Sequence, residues 1–78
     1  MQEKMRWDTV KRYSARELAI AIERRLPEKY RFDSAYWTLY VYDEYRNAFL
    51  PDVHVHELNR DALVNILDNN NFIKGGKR

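Results

Sequence analysis

The chain of 78 residues has no cysteine, two prolines and two glycines, the glycines adjacent at Gly75 and Gly76. Each scarcity excludes something. Without cysteine there is no disulfide staple, no zinc–thiolate site and no sulfur redox chemistry beyond two methionines. Without glycine before residue 75 there is no Gly-rich loop to wrap a phosphate. Low glycine and proline also argue against a disordered or low-complexity chain. No apolar run approaches the ~20 residues of a membrane span, and Met1 to Asp8 carries charges where a signal peptide needs an apolar stretch. A cytoplasmic protein is therefore expected.

What is present suits one small domain, residues 1–78, with 74–78 as a flexible basic tail. Hydrophobic residues make up 45% of the chain, including six Tyr, three Phe and two Trp. A domain this short must draw its stability from a well-filled apolar core or from self-association that extends it. The net charge is +2, but its distribution is uneven. Through Arg31 there are nine Lys/Arg against five Asp/Glu, and from Phe32 to Ile73 two against seven. Three cations then fall in the last five residues, so the chain is basic at both ends and acidic between.

The strongest local signal is Ser14-Ala15-Arg16-Glu17, a capping box, with Tyr13 and Leu18 spaced as its hydrophobic staple. Ala15, Leu18, Ala19, Ile22 and Leu26 then repeat at helical period up to Pro27. From Tyr36 to Asp43 the period becomes two. Trp37, Leu39 and Val41 are expected on one face, and Tyr36, Thr38, Tyr40 and Tyr42 on the other. A turn at 43–47 leads to a second strand over about 49–57, with Val53 and Val55 inward and Asp52, His54 and His56 outward. Pro51 favours an edge position there. A last helix from Asn59 carries Ala62, Leu63, Ile66 and Leu67, with Leu58 and Leu63 at staple spacing, and closes on Asn69-Asn70-Asn71. Phe72 and Ile73 form a short final strand or a packed tail.

The fold class that follows is α+β. A first strand through Trp7 to Tyr13 gives β-α-β-β-α(-β) in a single sheet, a ferredoxin-like sandwich. A helix there instead gives α-α-β-β-α. Residues 62–67 through Phe72-Ile73, with the basic end after them, resemble the recognition helix and wing strand of winged-helix regulators. Tyr13 to Ile22 resembles an earlier helix of such a domain. These are two short amphipathic stretches, and they assign no family.

Chemistry is sparsely signalled. His54 and His56 at alternate strand positions share a face with Asp52 and would offer two or three metal ligands. With no further His and no Cys, half-exposed histidines on a sheet are the simpler account. No metal or other cofactor is expected. The only serines are Ser14, used as a cap, and Ser34, so no nucleophilic triad forms, and no catalytic residue is assigned. A metal-free ribonuclease-type toxin using a His is the third-ranked function. The first is a small non-enzymatic regulatory or inhibitory protein. It docks an aromatic, mildly acidic sheet face, with Tyr36, Tyr40, Tyr42, His54 and His56, on a protein partner or on a second copy. The second is a nucleic-acid-binding regulator using Arg24, Arg25, Lys29 and Arg31 at the first helix end, with Lys74, Lys77 and Arg78 in the tail.

Overall fold

The structure, a computed structural model, describes residues 4–74. Lys77 and Arg78 lie outside them, as does the tail beyond Lys74. The α+β class holds. The elements in order are β1 (Met5–Arg6), α1 (Trp7–Val10), α2 (Ala15–Arg25), β2 (Tyr30–Asp33), β3 (Thr38–Asp43), β4 (Ala48–His54), a 3₁₀ turn (Glu57–Asn59), α3 (Arg60–Asn69) and β5 (Ile73–Lys74). They make two sheets rather than the single ferredoxin-like one: an antiparallel meander β2-β3-β4 and a two-stranded parallel pair β1-β5.

Helix α2 follows its sequence signals. Ser14 Oγ accepts from the Glu17 amide and the Glu17 carboxylate accepts from the Ser14 amide, both at 3.2 Å. Ala15, Leu18, Ala19 and Ile22 are buried along its inner stripe. The helix stops because Leu26 precedes Pro27, whose ring disfavours helical backbone before it. The Leu26 carbonyl then accepts from both Lys29 and Tyr30, turning the chain into β2.

Strand β2 was not expected from the sequence. Its Tyr30 and Phe32 face the core while Arg31 and Asp33 face out, in register with Val41, Leu39, Tyr40 and Thr38 respectively. The two inward residues point their amides away from β3. Tyr30 donates to the Leu26 carbonyl and Phe32 to the Glu23 carboxylate at 3.0 Å, so the end of α2 closes this sheet edge.

The expected strand through Trp7 to Tyr13 is absent. Only Met5 and Arg6 are extended, and Trp7–Val10 form a helical turn that buries Val10. The lack of period-two alternation in that segment is the physical reason. Its partner is also different: Met5 pairs with Ile73, both buried, and the Met5 amide donates to the Phe72 carbonyl at 2.7 Å. Arg60, at the start of α3, donates from its guanidinium to the Val10 and Tyr13 carbonyls and ties this segment down.

Helix α3 ends in a complete Schellman motif. Asn71 sits in the left-handed region (φ 62), its amide donates to the Asp68 carbonyl, and the Phe72 amide donates to the Leu67 carbonyl. The start of the helix departs from expectation. His56 Nδ1 accepts from the Leu58 amide, which inserts the 3₁₀ turn ahead of α3. Leu58 is consequently 89% exposed, and its expected staple with the fully buried Leu63 does not form.

The three helices and the β1-β5 pair share one core with the inner face of the meander, centred on Leu18, Ile22, Leu39, Val55, Leu63 and Leu67. Replacing Glu23 by Ala is expected to lower stability by about 1–2 kcal/mol in urea unfolding, since it orphans the Phe32 amide. Amide exchange at Phe32 should accelerate selectively. Unchanged protection there would show that the carboxylate does not close the edge.

Candidate binding surface

The outer face of the meander follows from its register. Thr38, Tyr40 and Tyr42 of β3 stand opposite His54, Pro51 and Phe49 of β4, and Arg31 of β2 stands opposite Tyr40. Directly opposed residues share a face. The ladder shifts between Leu39 and Tyr40, because Leu39 pairs with Val53 but Tyr40 with Pro51. Asp52 is thus the extra residue of a β-bulge. Strict alternation, the sequence reading, aligned Asp52 with His54 and His56; the bulge breaks that alignment.

Tyr40 and Tyr42 point outward as expected. The Tyr42 and Phe49 rings meet edge to face at 5.3 Å, and the Arg31 guanidinium lies over the Phe49 ring at 5.2 Å. The Tyr42 hydroxyl also donates to Asn47 in the following turn. None of Tyr40, Tyr42 and Phe49 belongs to the core cluster, and both helices pack on the opposite face. Arg31 was grouped in the sequence with the basic end of the first helix. Its place on this face depends on β2, whose only sequence signal is the short alternation Tyr30-Arg31-Phe32-Asp33.

Tyr36 and Trp37 lie in the β2–β3 turn rather than on β3. Asp33 Oδ1 accepts from the Ala35 amide, which starts the turn, and Trp37 adopts the left-handed region (φ 51). That backbone is unusual for a bulky residue and ends the alternation that would have carried Trp37 inward with Leu39. Tyr36 is 72% exposed and Trp37 42%. The Trp37 carbonyl accepts from the Val55 amide, which fastens the turn to the end of β4. Between them is a mostly apolar cleft of about 470 Å³, walled by the capping Ser14, by Ala15 and Arg16 of α2, by Trp37, and by residues 54–57.

His54 and His56 are neighbours with ring centroids 5.4 Å apart. Only His54 is on β4, opposite Thr38; His56 lies beyond the strand with its Nδ1 lone pair occupied by the Leu58 amide. A metal at that nitrogen would have to displace the cap. No group of three or more metal-ligating side chains occurs among the described residues.

The basic residues are dispersed. Arg25 turns back to donate to the Ala21 carbonyl, Lys29 sits over the Tyr30 ring at 5.8 Å, and Arg31 is on the sheet face. Arg24 occupies the last turn of α2. Lys74 pairs in register with Arg6 across the β1-β5 ladder, beside Trp7 and Asp8. No helix among the described residues is long and apolar enough to cross a membrane. Comparison with protein-family models, curated proteins and solved structures finds no match to this chain.

One titration follows from the sheet. Burial of Tyr30 raises its phenol pKa above the ordinary 10.0, and the Asp52 carboxylate adds to the rise. The unfolded chain therefore releases this proton first. The contribution to stability is full below pH 10 and is lost as pH climbs through the raised folded value. Tyr30→Phe should flatten that part of the stability profile relative to wild type, and Asp52→Asn should shift it toward lower pH. Parallel wild-type and Tyr30→Phe profiles above pH 10 would disprove the assignment.

Proposed function

We propose that this chain is a small regulatory or inhibitory binding protein that docks the outer face of its meander on a protein partner. The observation that carries the reading is Arg31 stacked over Phe49 beside Tyr42 and Tyr40, on a face outside the core. Tyr and Arg dominate interface hot spots because they bring large contact area with few rotors and a planar set of donors. The surroundings suit a protein more than a phosphate backbone. Asp33, Asp43, Glu44 and Asp52 are in or beside the meander, and Arg46 is already paired with Asp43 at 2.9 Å. Edge pairing is an unfavourable mode for this fold. The β2 edge ends on α2, and β4 carries Pro51 and a bulge. Docking therefore uses side chains on the face.

A second reading rests on the placement of cations. Arg31 brings a cation among the stacking rings, and Arg6 and Lys74 stand side by side elsewhere, so single-stranded nucleic acid is the alternative occupant of the aromatic face. The third-ranked ribonuclease activity would need a free imidazole; His56 is committed to its cap, so His54 would have to supply it.

The test runs wild type and the Tyr40→Ala/Phe49→Ala variant in parallel, with circular dichroism as the control for folding. A partner retained by the wild type should bind the variant at least about 30-fold more weakly. Equal retention would remove the aromatic face from the account. The same pair on single-stranded RNA and DNA separates the readings. Affinity falling steeply between about 50 and 200 mM salt, less steeply in Arg31→Ala, would transfer the function to nucleic acid.

A further inference from the structure

Three observations converge on the cleft between the start of α2, the β2–β3 turn and the end of β4. Its walls are mainly apolar, with Ala15, Trp37 and Val55 among them. Opposite charges stand at its rim, Arg16 on the α2 side and Glu57 on the 3₁₀ side, with His54 and His56 also along the wall. Among the described residues the one ion pair is Arg46–Asp43, so neither rim charge is paired with another described side chain. Beside the cleft, next to Glu57, Leu58 stands 89% exposed, turned out by the His56 cap.

We infer that this cleft receives a second copy of the same chain, in a two-fold dimer where Leu58 of each copy enters the cleft of the other. A two-fold contact brings the same patch together from both sides, so it must be self-complementary. This patch holds both halves of the match, an apolar knob beside an apolar hole and a cation facing an anion. Arg16 of one copy then meets Glu57 of the other, twice. A small molecule filling the cleft would leave Leu58 uncovered. The left-handed Trp37 backbone is held by the Val55 amide and keeps the indole at the cleft wall, a strained arrangement of the kind that clusters at binding sites. The cleft does not include Tyr40, Tyr42 or Phe49, and His54 at the end of the ladder is where it meets the sheet face.

Sedimentation equilibrium from about 1 μM to about 1 mM tests the assignment. The wild type should show a concentration-dependent dimer, and Leu58→Glu should weaken it by at least about 30-fold by placing a charge in the apolar cleft. Arg16→Glu and Glu57→Arg should each weaken it several-fold through like-charge contacts, while the double exchange should return the affinity to near wild type. Tyr40→Ala/Phe49→Ala should leave the dimer unchanged. A monomer throughout the range, or a double exchange that fails to restore association in a protein with native circular dichroism, would overturn the proposal. Loss of the dimer in Tyr40→Ala/Phe49→Ala with no effect of Leu58→Glu would also overturn it, moving self-association to the sheet face.

Discussion

Two amides on one short strand orient everything else. Those of Tyr30 and Phe32 point away from β3 and end on the Leu26 carbonyl and the Glu23 carboxylate at the end of α2. Once these bonds form, the helix and the meander cannot rotate independently. Tyr30 and Phe32 must face the core, so Arg31 between them must face out. An unsatisfied buried amide costs about 1–3 kcal/mol, so this geometry is enforced by the backbone as well as by packing. The sheet acquires one face committed to the helices and one free face, and an edge that would otherwise recruit foreign strands is closed.

Arg31 changes the chemistry of the free face. The hairpin sequence alone is acidic and aromatic, which suits a basic partner. With Arg31 over Phe49, the centre of the face is cationic and its surroundings anionic. A guanidinium held on a ring is already positioned, so less freedom is lost when a partner carboxylate or carbonyl reaches it. The aromatic face and the α2 cleft are distinct surfaces on one meander, joined through Thr38 and His54 at the end of the ladder.

Much of this was legible where local bonding decides the outcome. The capping box at Ser14, the stop before Pro27 and the asparagine end of α3 are short-range hydrogen-bond devices, and each formed as its residues indicate. The outward placement of Tyr40 and Tyr42 followed from period two. What escaped depends on contacts distant in sequence. Met5–Arg6 is a strand because Ile73 pairs with it across most of the chain, and β2 has four residues whose alternation is too brief to stand out. Trp37 continued the alternation of β3 on paper, but the Asp33 turn breaks it. Leu58 had the spacing of a staple, yet a histidine two residues earlier took its amide.

The bulge at Asp52 has a consequence for how the surface can change. On either side of it β4 is in opposite phase: Phe49 and Pro51 face outward before it, and His54 after it. Were Asp52 taken into regular alternation instead of bulged, Val53 and His54 would exchange sides and an imidazole would enter the apolar layer. The strand is therefore two half-strands in series, one supplying rings and the other an imidazole. Because the phase is reset between them, the composition of either half can drift without forcing the other to follow.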